Sequence, residues 1–102
     1  MVRWFLESLR VKVQHQVTIP GVGRVDLVVG DSLAIECDSV TYHTSTEQYY
    51  KDRQRDAELI KLGYQPVHLT WEAVFLDWEE TQQMLTALVR SRRHRYLRPI
   101  YR

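Results

Sequence analysis

Apolar and polar residues alternate through Val11-Lys12-Val13-Gln14-His15-Gln16-Val17-Thr18-Ile19, the two-residue period of a strand covered on one face. Pro20-Gly21-Val22-Gly23 follows as a turn, because proline presets one φ and glycine opens conformations closed to other residues. Residues 24–29 and 32–38 are more continuously apolar. That predicts two central strands with both faces covered, joined as a hairpin through Gly30-Asp31. Thr44-Ser45-Thr46-Glu47 offers hydroxyl caps to a helix running to about residue 62, with Ala57, Leu59, Ile60 and Leu62 as its apolar face. Gly63 suits the cap that ends it. Residues 65–70 read as a short strand whose Pro66 belongs near its start. A single helix is predicted over 72–90 from Val74, Trp78, Met84, Leu85 and Leu88. A short helix over 4–10 precedes everything, so the predicted order is α-β-β-β-α-β-α in one unit, without repeats or a linker.

At 102 residues the chain can bury one core but not two. No apolar run approaches the roughly 20 residues that span a bilayer, so no membrane partner is expected. The opening Met1-Val2-Arg3-Trp4-Phe5-Leu6-Glu7 carries no secretory pattern. A lone cysteine, Cys37, excludes an internal disulfide and fits a reducing compartment. A cytoplasmic location is therefore expected.

Charge is unevenly placed. Residues 1–89 hold eight of the fourteen Lys and Arg against all thirteen Asp and Glu, a formal balance of −5. Residues 90–102 hold Arg90, Arg92, Arg93, Arg95, Arg98 and Arg102, with His94 and no acid. The chain thus divides into a domain over 1–89 and an arginine-rich tail over 90–102. Guanidinium groups interleaved with Tyr96 and Tyr101 suit phosphate pairing and base stacking. The plainer reading is a solvated tail that aids solubility.

The candidate chemistry lies in the two central strands. Carboxylates inside apolar strands are costly unless compensated, yet Asp26 sits in one strand, and Glu36 and Asp38 share a face of the next. A tight hairpin would bring all three together, with the backbone carbonyl of Cys37 beside them. Hard oxygen ligands of that kind select Mg²⁺ or Mn²⁺, which can polarise a phosphodiester and generate hydroxide. The alternative leaves Asp38 and Asp31 as exposed turn residues around one special acid. His43 follows as a candidate general acid or base, or else as a surface residue or cap. In Lys51-Asp52-Arg53-Gln54-Arg55-Asp56 most charges read as a solvated face. Arg53, on one stripe with Tyr49 and Asp56, and Arg55 are the candidates for phosphate contact. Cys37 reads as a small core residue, His15 and His68 as structural, and the three tryptophans as packing groups.

The ordered set Asp26, Glu36-Cys37-Asp38, His43, Asp52-Arg53-Gln54-Arg55-Asp56-Ala57-Glu58-Leu59-Ile60-Lys61-Leu62-Gly63-Tyr64 and Leu69-Thr70-Trp71-Glu72 resembles the very short patch repair endonucleases. It is closer still to their small actinobacterial and actinophage relatives in the PD-(D/E)XK nuclease superfamily. The resemblance spans about residues 16–85. It implies an α/β (α+β) fold with a restriction-endonuclease-like core, a mixed central sheet flanked by helices. It implies metal binding by Asp26 and Glu36, with the Cys37 carbonyl as a further ligand, and it raises His43 as a catalytic residue. Asp38 stands where the superfamily has lysine and the patch repair enzymes have histidine. Their mismatch-reading insertions and zinc ligands have no counterpart. The expected function is a Mg²⁺- or Mn²⁺-dependent DNA endonuclease, a monomer or homodimer, that nicks DNA or cuts it by structure. The alternative is an inactive nucleic-acid-binding module of the same fold.

Overall fold

A computed structural model describes residues 1–38 and 45–91. Its elements are α1 (Val2–Ser8), β1 (Val13–Ile19), β2 (Gly23–Val29), β3 (Leu33–Cys37), α2 (Thr46–Lys61), β4 (Gln65–Leu69), α3 (Trp71–Phe75) and α4 (Trp78–Arg90). The strands form one sheet in the order β1-β2-β3-β4. The first three are antiparallel neighbours, and β4 runs parallel to β3. The expected fold class and the central placing of β2 and β3 both hold. The expected single last helix is instead two, α3 and α4. Asp77, a residue type suited to a helix start, sits before Glu79 and Glu80 in the first turn of α4. Thr81 Oγ1 donates to the Ala73 carbonyl at 2.7 Å and fastens the restart to α3.

Alternation along the strands divides the core between two faces. Leu27, Val29, Leu33, Ile35 and Leu69 pack with Val2 and Leu6 of α1, Val74 of α3 and Leu85 of α4. On the other face Ile19, Val25, Val28 and Ala34 pack with Leu59 of α2. The start of α2 is fixed by Ser45, whose Oγ accepts from the Gln48 N–H at 3.1 Å. Its end is a complete Schellman turn. Gly63, at φ +96°, donates to the Ile60 carbonyl, and Tyr64 donates to that of Leu59.

The sheet-facing stripe of α2 changes character along its length. Leu59 is fully buried, whereas Asp52, Arg55 and Asp56, on the same side one and two turns earlier, are half-buried and charged. The charged half lies over the end of the sheet where β3 and β4 place Glu36 and His68 side by side. This polar seam is not core. It positions the site.

Candidate active site

Asp26 is held from behind: its Oδ2 accepts the Cys37 backbone N–H at 2.9 Å. A carboxylate has about four lone-pair positions, so this bond orients the group and leaves capacity for a ligand. The strand opposite is distorted at the same level. β1 pairs His15 with Leu27 and Val17 with Val25 but omits Gln16, and Gln16 has φ +52°. A side-chain-bearing residue in the left-handed region is strained by roughly 1–2 kcal/mol, and such strain gathers at functional sites.

Asp38 extends the β3–β4 ladder by one rung, donating its N–H to the Leu69 carbonyl at 2.9 Å. Asp26, Cys37 and Asp38 all line one pocket of about 600 Å³, roofed by α1 and α3. Cys37 is exposed in its wall rather than buried in the core as its sequence context suggested. Alternation carries its thiol to the face opposite Glu36. Burial first, and the Asp26 and Asp38 carboxylates next, push that thiol up from its ordinary pKa. It therefore stays protonated near neutrality and is a poor nucleophile.

Glu36 turns to the α2 side of the sheet, where its Oε1 is bonded by Arg55 Nη1. Arg55 also donates from Nη2 to the Arg24 carbonyl. The guanidinium expected on phosphate is thus engaged within the protein, compensating a carboxylate whose side chain is only 14% exposed. Arg53 has the exposure a phosphate contact needs. It pairs with Asp56 at 3.1 Å and lies 5.5 Å from the Tyr49 ring centroid, as their shared stripe predicts. Arg90 ends α4 in a separate surface groove with Phe5 and Glu79. His43, Arg92, Arg93, Arg95 and Arg98 lie outside the described residues.

His68, expected as a structural residue, instead joins the site. Its Nε2 lies 2.9 Å and 3.0 Å from the two oxygens of Asp56, and its Nδ1 lies 3.2 Å from Asp38 Oδ2. A neutral imidazole has one N–H and can serve only one of these acceptors, whereas the imidazolium serves both. Burial by itself would lower the His68 pKa. The hydrogen bond and charge of Asp56, then the charge of Asp38, outweigh it and hold the pKa above its ordinary value. A chain of contacts thus runs from Arg53 through Asp56 and His68 to Asp38 at the pocket. The available signal was modest: a histidine between Val67 and Leu69, on the polar side of an otherwise apolar strand.

Residues 1–89 match the family model REase_MTES_1575, a restriction endonuclease-like family. The chain belongs to this family. A solved structure, the "Homing Endonuclease I-Bth0305I Catalytic Domain", superposes with TM-score 0.67 at 21% identity, covering 87% of this chain and 90% of that one. At that identity the likeness shows a shared nuclease fold. No curated protein matches the chain. For this restriction endonuclease-like chain, the donor set favours a hard cation. Asp26 and Asp38 share a pocket, while Glu36 is one residue away and bound to Arg55. Among the described residues no three His, Cys, Asp or Glu side chains stand together as ligands. Asp26 and Asp38 are the two carboxylates of the pocket lining that could hold a divalent ion, while Glu36 lies outside that lining, engaged by Arg55.

Proposed function

We propose that this chain is a DNA endonuclease that hydrolyses a phosphodiester in the pocket lined by Asp26 and Asp38, with Mg²⁺ or Mn²⁺ as cofactor. One observation carries the reading. Asp26 of β2 and Asp38, one residue past β3, both line one open pocket of a restriction endonuclease-like chain. When bound there, a divalent ion would neutralise the phosphoryl oxygens and supply hydroxide from its water.

The chain's own residues do the rest. The Cys37 N–H orients Asp26. His68 orients Asp38, with Asp56 fixing the far side of the ring. Arg55 compensates the charge of Glu36 on the α2 side of the sheet. Arg53, about half exposed, adds a phosphate contact at the cost of its pairing with Asp56. His43 serves proton transfer, and Arg90 with the tail arginines grips the duplex through salt-sensitive contacts. One pocket cuts one strand, so the monomer nicks, and double-strand cleavage requires a homodimer or sequential nicks. We place the activity in the cytoplasm, and we take the likeness to very short patch repair endonucleases as a guide to the reaction alone, not to mismatch choice.

The test is conversion of supercoiled plasmid to open circles with Mg²⁺, Mn²⁺ or EDTA, beside Asp26→Ala. Metal-dependent nicking lost in the variant supports the assignment, and nicking retained in it defeats the assignment. A second reading, a binding module that has lost catalysis, draws support from the Glu36–Arg55 pair. It predicts DNA binding without Mn²⁺ binding, and calorimetric titration of Mn²⁺ separates the two.

A further inference from the structure

The pocket has a wall that phosphodiester hydrolysis does not use. Trp71 and Phe75, one turn apart on α3, lie with ring centroids 5.3 Å apart and planes tilted by 32°. They remain 45% and 61% exposed, although Val74 between them is buried. Both rings line the same pocket as Asp26 and Asp38. Aromatic rings left open beside a charged site forgo hydrophobic stabilisation and call for a ligand with a flat face.

We propose that Trp71 and Phe75 form a nucleobase platform, which stacks an unpaired base of the nucleotide flanking the bond that is cut. The proposal rests on the nuclease reading of Asp26 and Asp38. Its chemistry follows from the mixed lining. A purely apolar partner pressed into this pocket would strip water from two carboxylates without replacing their hydrogen bonds, which is costly. A base offers a π face to the rings and amino N–H groups to polar neighbours such as Gln16 and the carboxylates. The sugar tethers it to the phosphate, so one nucleotide engages both walls. A base inside a paired duplex cannot reach such a wall without leaving the stack. The substrate class is therefore DNA with single-stranded or unpaired nucleotides at the cut.

The experiment compares wild type with Trp71→Ala, Phe75→Ala, the double variant and Trp71→Phe, each shown folded by circular dichroism. Fluorescence of 2-aminopurine in a single-stranded oligonucleotide, with EDTA present to prevent cleavage, reads stacking. Cleavage of bubble DNA relative to paired DNA reads selectivity. Base stacking on an aromatic side chain is lost on alanine substitution with roughly a ten-fold effect. Wild type and Trp71→Phe should quench the probe and prefer the bubble, and the double variant should lose about ten-fold of that preference. Replacing the flanking base by an abasic site should cost wild type the same factor and cost the double variant nothing more. An unchanged bubble preference in the double variant overturns the platform. So does conversion of a dimer to a monomer with that preference intact, which would assign the rings to a second copy of the chain. If wild type cuts no DNA yet quenches the probe through Trp71, the platform stands and the nuclease reading falls. If it neither cuts nor quenches, both fall.

Discussion

Replacing Asp56 with alanine tests the polar seam without altering a carboxylate that lines the pocket. Asp56 is 13% exposed and His68 27%, so solvent screens their pairing only in part. The substitution removes the 2.9 Å contact to His68 Nε2 and the 3.1 Å pairing with Arg53. A hydrogen bond to a charged group contributes about 1.5–3 kcal/mol, while the exposed Arg53 pairing adds little. The expected loss is about 2 kcal/mol, or roughly 8–16 °C in Tm for a domain of this size. The loss should depend on pH. Because the His68 pKa is raised in the folded state, its contribution is fully present below the unfolded value near 6.5 and is lost as pH rises through the folded value. Urea unfolding in EDTA should therefore show wild type and Asp56→Ala furthest apart near pH 6. They should approach each other at alkaline pH, where a neutral imidazole still donates one bond. Asp56→Asn, which keeps an acceptor, should lose less. A difference between wild type and Asp56→Ala that stays constant from pH 5.5 to 9 would mean that His68 gains no proton affinity from Asp56.

Other substitutions separate the remaining contributions. Arg55→Ala leaves Glu36 partly buried without its cation and should cost about 2–4 kcal/mol in urea unfolding, more than Glu36→Gln, which leaves no charge behind; equal losses would count against the pairing. Leu59→Ala opens a cavity under α2 and should cost about 2–5 kcal/mol, a value that a urea midpoint with unchanged m-value would establish. Gln16→Gly relieves a left-handed conformation and should leave stability unchanged or slightly higher, while Val17→Gly should lower it; matching losses would show that Gln16 is unstrained. Replacing the six arginines from Arg90 to Arg102 should weaken DNA binding and flatten its salt dependence by about 0.9 in log–log slope for each phosphate no longer neutralised, and an unaltered slope would remove the tail from the interface.

The hairpin of β2 and β3 was legible because its two apolar runs are separated by a short turn, and the length of α2 because Ser45 and Gly63 bracket it chemically. The break between α3 and α4 was hidden. Val74, Trp78, Leu85 and Leu88 keep helical spacing across it, and only the Asp77 cap marks the interruption. At the site, Asp38, one residue past β3, lines the pocket together with Cys37, but period-two alternation correctly set Glu36 on one side and Cys37 on the other. It did not show which helix would lie over that side. Arg55 engages Glu36, and Asp56 engages His68, because α2 crosses the sheet end at its charged half. That crossing is a tertiary fact. His68 became a neighbour of Glu36 only through the parallel register of β4 on β3, which no local pattern records.

In the proposed reaction Asp26 and Asp38 together hold a catalytic divalent ion. Titration of Mn²⁺ into wild type, Asp26→Asn and Asp38→Asn, followed by plasmid nicking at saturating Mn²⁺ by the same three proteins, addresses that role most directly. Wild type should bind one Mn²⁺ per chain, either variant should bind it at least ten-fold more weakly, and nicking should disappear with Asp26→Asn. Equal Mn²⁺ affinity in all three proteins, or nicking that persists in both variants, would contradict that role.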